Sequence, residues 1–262
     1  MDLVIVGNGF DLAHGLPTSY KDFRLYLKWR DDLSILALEK LFPKKVNKKL
    51  ILWSDFEEAL AYPSKKQLKE LHELANTLDE NHTWLKDMLR DTFVEWVKDI
   101  CFYGTSQLDK SHPFHHYLKE ENVYLSFNYT ETLEQFYNIN NVFHIHGCPI
   151  HNGEETHDVV IFGHKAIETA NNYILSTEKP VNELMIQHKK WFNSLTTRID
   201  GNVVIMGLSC SDVDQMYLQR IHALLPDNNW VFFYHTNTDL ENYKRLIEVL
   251  DLHKNKFSFI KC

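Results

Sequence analysis

The chain has 262 residues, enough to bury a sizeable core in one large domain or in one domain carrying an insertion. At 44% hydrophobic and 24% charged residues, its composition is that of an ordinary soluble globular protein. The formal charge of −8, from 28 basic and 36 acidic residues, disfavours an extended nucleic-acid surface.

The first element is an apolar run, Leu3 to Val6, that ends abruptly in Gly7-Asn8-Gly9, with a helical pattern starting after Pro17. A buried strand running through a glycine turn towards a helix brings backbone N–H groups up to a phosphate, because glycine lets a ligand approach and helix N-termini favour anions. The dinucleotide fingerprint itself is incomplete, since Leu12 stands where a third glycine belongs. A plain tight turn is the alternative. Residues 19 to 40 read as helix from the spacing of Phe23, Tyr26, Leu27 and Arg30. Lys44-Lys45-Val46-Asn47-Lys48-Lys49 reads as a solvated loop or helix end.

Residues 34 to 119 carry nearly continuous helical periodicity. Leu68, Leu71, Ala75 and Leu78 share one face, and a stronger stripe runs through Trp84/Leu85, Met88/Leu89, Phe93, Trp96/Val97 and Ile100. Asn81 is a candidate cap for that helix, and Ser54 or Asp55 for another opening at Trp53 to Glu58. Beyond residue 120 the pattern alternates. Strands are expected at Asn122 to Phe127, Asn141 to Ile145, Val159 to Phe162, Asn202 to Met206, Trp230 to His235 and Lys256 to Ile260. Helices are expected at Thr130 to Tyr137, Val181 to Ile199, Ser211 to Leu225 and Asp239 to Leu250. Such alternation predicts a Rossmann-like, doubly wound, mostly parallel α/β sheet. The expected organisation is a single α/β domain over 1–262 with an all-helical insertion at 34–119.

No apolar stretch approaches the roughly 20 residues needed to span a bilayer, and with the first strand starting at residue 2 and no basic n-region or cleavage site, no signal peptide is expected. The cysteines (Cys101, Cys148, Cys210, Cys262) are scattered without a Cys-x-x-Cys, which fits a reducing compartment and argues against a cysteine zinc site. A cytoplasmic chain without a membrane partner is expected.

Ligands of open α/β sheets bind beyond the carboxyl ends of the strands. The residues that follow the expected strands are polar: Gly7-Asn8-Gly9, Asn128-Tyr129-Thr130, His146-Gly147, Gly163-His164-Lys165 and Gly207-Leu208-Ser209-Cys210-Ser211-Asp212. A ligand pocket along that edge is the expectation.

These clusters resemble the sirtuin pattern. The Gly-x-Gly loop leading to Gly15-Leu16-Pro17 and Asp22-Phe23-Arg24 looks like the first sirtuin motif. Ser126-Phe127-Asn128-Tyr129-Thr130 resembles the Thr-Thr-Asn-Tyr-Asp segment, His144-Ile145-His146-Gly147 the strand ending in His-Gly, and Gly207-Leu208-Ser209 the later Gly-x-Ser. More closely, Val4 to Tyr20 resembles the opening of the AbiH family, supported by Trp53-Ser54-Asp55-Phe56-Glu57, Phe-Asn-Tyr-Thr and His-Gly. That family is named for bacterial abortive infection against phage, so the resemblance implies phage defence and a sirtuin-like NAD-binding fold.

The resemblance implies cleavage of NAD+ at the nicotinamide–ribose bond. Nicotinamide leaves as a neutral pyridine, so the enzyme need only place a nucleophile and stabilise an oxocarbenium-like transition state. Carried over by motif, Asn128 holds a water or the ribose, and His146 takes a proton from a ribose hydroxyl or that water. Gly7, Asn8, Gly9, Phe10, Asp11, Pro17, Gly207 and Ser209 are the expected nucleotide-binding residues. The chain lacks the four-cysteine zinc module of deacetylases, Thr130 replaces the acidic residue after the asparagine motif, and Phe10-Asp11 replaces the serine of the first loop.

Other roles are open to the same residues. Asn128 and Thr130 can cap a helix, His146 can be a core histidine, and Ser209, Ser211 and Asp212 can form a helix N-cap. At the level of function, the alternatives are a nucleotide-binding sensor without catalysis and a metal-dependent hydrolase or nuclease. The latter would use His144 and His146 with His151, His157, Asp158 and His164. No metal is expected on the NAD reading. A defence effector needs restraint before infection, so the helical insertion is the expected place for a lid, an oligomer contact or the sensor of a phage-derived trigger.

Overall fold

The computed structural model describes residues 1–30, 35–36, 64–77, 84–102, 108–151, 154–156, 159–163 and 179–262. The expected caps Asn81, Ser54 and Asp55, the lysine run 44–49, and His157, Asp158, His164 and Lys165 lie outside them.

A six-stranded, all-parallel sheet organises the chain. Its strands are β1 (Leu3–Val6), β2 (Val123–Ser126), β3 (Val142–His144), β6 (Val203–Met206), β7 (Trp230–Tyr234) and β8 (Phe257–Lys261), in the order β3-β2-β1-β6-β7-β8. Counting sheet strands alone, this is the order of the dinucleotide-binding α/β folds. β4 (Ile150–His151) and β5 (Glu154–Glu155) form a separate antiparallel pair. The central position of β1 explains its unbroken Leu-Val-Ile-Val run. Leu3 lies between Val123 and Val203, both faces are covered, and all four residues are buried.

Nine α-helices fall among the described residues: α1 (Asn8–Ala13), α2 (Tyr20–Trp29), α3 (Lys65–Thr77), α4 (Trp84–Phe102), α5 (Thr132–Tyr137), α6 (Val181–Gln187), α7 (Lys189–Arg198), α8 (Asp212–Leu224) and α9 (Asn237–Leu250). None is long and apolar enough to cross a membrane. Capping boxes open three of them, Ser19 with Asp22 on α2, Ser211 with Asp214 on α8 and Thr236 with Asp239 on α9.

The chain packs as two compact units. The first, Met1–Leu16, Cys101–Val159 and Val181–Cys262, holds the sheet. On one face, Val4, Val6, Tyr124, Val204, Met206 and Phe233 pack against Phe10, Phe114 and Leu133. On the other, Phe232 packs on Tyr243 of α9, 5.1 Å between ring centroids. The second unit is Pro17–Ile100 and Val160–Pro180. Its aromatic centre joins Phe23 to Trp96 at 5.1 Å and Phe93 to Phe162 at 4.6 Å.

Three sequence expectations change. Val159 to Phe162 is not a strand: the apolar run joins neither sheet of the described residues, and Phe162 instead stacks on Phe93. The helix expected over Val181 to Ile199 is two helices that meet at His188, whose φ of −96° and ψ of 17° leave the helical range. The i→i−4 bonds from His188 to Leu184 and from Phe192 to His188 persist, so the hydrophobic spacing carries no mark of the break. Helical structure also does not continue to residue 119, where a short 3-10 turn, Pro113–His116, covers the sheet face through Phe114.

Candidate functional site

The order of the sheet reverses between β1 and β6, so the segments leaving these two strands meet at its carboxyl edge. They meet backbone to backbone. Gly9 N–H donates to Gly207 O at 2.7 Å, and Gly7 N–H donates to Met206 O at 3.0 Å. Gly207 has a φ of +66°, and a Cβ there would lie 2.2 Å from Phe10 N. A Cβ on Gly9 would lie 2.7 Å from Gly207 Cα. The glycines expected to admit a phosphate thus admit one another, and the N–H groups of Gly7 and Gly9 are used within the protein.

α1 starts immediately after Gly7, earlier than the sequence indicates, and its first turn sets the remaining predicted residues. Phe10 turns into the core and stacks on Phe114 at 5.6 Å. Asp11 turns to the loop after β2 and is 1% exposed. Its Oδ1 accepts from Asn128 Nδ2 at 3.0 Å and from Thr132 Oγ1 at 2.7 Å, and its Oδ2 from Thr130 Oγ1 at 2.5 Å. Burial pushes the Asp11 carboxyl up to about 6, against the opposing pull of Thr130, Thr132, Asn128 and the nearby His144. The sirtuin pattern expects a hydroxyl in the first loop and a carboxylate after the asparagine. Here the carboxylate stands in the first loop and the hydroxyl follows the asparagine, and the two are bonded.

Asn128 is held at almost every polar atom. Its Nδ2 also donates to Gly7 O at 3.0 Å, and its backbone N–H donates to Ser126 Oγ at 3.1 Å. Its carbonyl accepts from His144 Nδ1 at 3.0 Å. Both amide protons are engaged, which leaves Oδ1 as the side-chain atom able to meet a ligand. Asn128 does not cap α5, whose N-cap is Glu131.

His144 Nε2 lies 2.8 Å from Glu134 Oε1, in a pair whose side chains are 9% and 3% exposed. Both partners of the ring are acceptors, so donating to both requires the imidazolium. Burial works against that charge, but the bond and charge of Glu134, the Asn128 carbonyl and Asp11 together raise the His144 pKa. His146 takes a different path, because β3 ends at His144 and the chain turns. Its ring is 1% exposed, with Phe127 at 5.5 Å, Tyr217 at 5.9 Å and Tyr129 at 6.2 Å between centroids. His146 therefore sits against the residues on either side of Asn128. His151 pairs instead with Glu131 at 3.6 Å. Among the described residues no group of three His, Cys, Asp or Glu is placed to hold a metal.

Ser209 Oγ donates to Asp214 Oδ2 at 3.3 Å, beside the Ser211–Asp214 capping box, so it serves the start of α8. Asn8 is half-buried at the start of α1, and Pro17 belongs to the second unit. The structure thus gathers Gly7, Gly9, Gly207, Asp11 and Asn128, with His146 beside them. Thr132 and Glu134 join this cluster without being expected from the sequence, and Ser126 joins it with no role expected beyond its place in the Asn128 motif. Their only signal was the alternation Ser126-x-Asn128-x-Thr130-x-Thr132 and a glutamate among apolar helix positions.

A family model described as "Bacteriophage abortive infection AbiH" matches residues 3–80 and 63–234 of the chain. No curated protein and no solved structure matches it.

Proposed function

The chain belongs to the AbiH family of bacteriophage abortive infection, and we propose that it is an antiphage effector cleaving NAD+ at the nicotinamide–ribose bond. The observation that carries the reading is Asn128, an amide that follows β2 and is fixed by Gly7 and Asp11 beside the reversal point of a dinucleotide-type sheet, its Oδ1 making no hydrogen bond among the described residues. In that role Asn128 Oδ1 accepts from the attacking water or a ribose hydroxyl. His146, beside it, takes the proton, and nicotinamide departs as a neutral base without an acid. Gly7, Gly9, Gly207 and Ser209 border the place where a diphosphate would lie. Because the Gly9 N–H is held by Gly207 O, a nucleotide entering there must part the two loops. That gives the enzyme a resting form, with release assigned to a phage-derived trigger.

A second reading, a nucleotide sensor without catalysis, is favoured by the same closure, since the Gly7, Gly9 and Asn128 donors are all engaged and His146 is 1% exposed. Nicotinamide release from NAD+ by the purified protein separates the two, measured beside Asn128→Ala and His146→Ala with EDTA present. Chelator-resistant release lost in both variants supports the effector. Intact NAD+ bound without release moves the assignment to the sensor.

A further inference from the structure

We propose that Asp11 is a positioning residue, whose carboxylate fixes which way the Asn128 side-chain amide faces and so makes Oδ1 the atom offered to substrate. The proposal rests on the reading of Asn128 as the residue that meets the substrate. A side-chain amide has two ends of nearly equal shape, and only its partners decide which end points where. Asn128 faces two acceptors at once, Gly7 O and Asp11 Oδ1, each 3.0 Å from its nitrogen. A flipped amide would set its own lone pairs against both.

The carboxylate is itself held in place, by Thr130 Oγ1 on one oxygen and Thr132 Oγ1 on the other. The backbone of Asn128 is pinned by Ser126 Oγ and His144 Nδ1, so rotation of the amide is the one freedom left to decide. Asp11 acts through Asn128 and needs no contact with substrate. Protonation of Asp11 on Oδ2, the oxygen that faces Thr130, leaves Oδ1 an acceptor for Asn128, so the neutral carboxyl keeps the same amide orientation through a weaker, uncharged bond. The charged groups facing Asp11 in this process are His144 of β3 and, beyond it, Glu134 of α5.

Amide NMR spectra of the full isotope-labelled chain test this, with the Asn128 side-chain pair identified by its loss in Asn128→Asp. In the wild type we expect a solvent-protected pair whose shifts follow the Asp11 titration. Asp11→Asn keeps an acceptor oxygen in the same place, so the protected pair remains and its pH-dependent shift disappears. Asp11→Ala removes the acceptor, and protection is lost. In nicotinamide release, Asp11→Ala lowers kcat by about 10²-fold with little change in KM, as displacement of a positioned group does. Asp11→Asn recovers most of that loss.

An Asn128 pair unchanged in Asp11→Ala overturns the proposal, and so does a pair in Asp11→Asn that still titrates as in the wild type. Wild type that releases no nicotinamide even in the presence of extract from phage-infected cells refutes the NAD reading, and the spectra then decide the positioning role independently.

Discussion

Asp11→Asn makes the energetics of the buried carboxylate measurable. Burial first, opposed by hydrogen bonds from Thr130, Thr132 and Asn128 and by the charge of His144, lifts the Asp11 pKa from 3.8 to about 6. The folded state therefore binds the proton more tightly than the unfolded chain. The stability that Asp11 contributes is whole below 3.8 and is lost as pH rises through about 6. That interval corresponds to about 3 kcal/mol. Asparagine resembles the protonated carboxyl and does not titrate. Asp11→Asn should thus be more stable than the wild type at about pH 8, by up to about 3 kcal/mol, with the advantage fading towards about pH 4. Urea unfolding across that range, followed by tryptophan fluorescence with Trp230 fully buried in the sheet, measures the difference directly. A difference that is flat with pH, or that favours the wild type at the alkaline end, would refute the reasoning.

Three further outcomes follow from the geometry. Gly207→Ala places a Cβ 2.2 Å from Phe10 N at a φ of +66°, and should lower stability by about 2–4 kcal/mol; an unchanged melting temperature contradicts the loop interlock. In Glu134→Gln the carboxylate that offsets burial is gone, so the His144 pKa should drop below its ordinary 6.5, as read by histidine NMR titration. Because the wild-type value is raised, the stability His144 contributes is present below 6.5 and lost as pH rises through its folded value, so Glu134→Gln should be most destabilising in acid. Thr236→Ala removes the side-chain acceptor for Asp239 N–H at the start of α9 and should cost about 1 kcal/mol in urea unfolding.

Much of the sheet was legible because parallel strands covered on both faces read as apolar runs, as in Leu3–Val6 and Val203–Met206. α1 was not, since Asn8 and Gly9 are poor helix formers and the element has only six residues. Val159–Phe162 has strand composition but lies off the ladder, a matter of partners and not of residue type. At the site, motif order located Asn128 near Gly7, yet the role of Asp11 was hidden. Its bond to Asn128 spans 117 residues of chain, and no local pattern records which acceptor an amide will find. His144 and His146 looked equivalent at alternate strand positions, until the end of β3 sent one to Glu134 and the other among aromatic rings.

The central place of β1 also governs when this protein can assemble. β1 precedes both of its neighbours in translation, yet the bonds at its start reach 120 residues forward to Asn122, beside β2, and 200 residues forward to Asn202, beside β6. On the ribosome the Leu-Val-Ile-Val segment must therefore wait for its first partner, β2, until nearly half of the chain has been made, and for its second, β6, until most of it has. The loop pairing of Gly9 with Gly207 comes no earlier. A nascent chain truncated before β6 lacks Gly207, and with it the loop pairing that closes the edge beside Asn128 and Asp11. The exposed apolar strand in turn makes such fragments natural clients of chaperones and proteases.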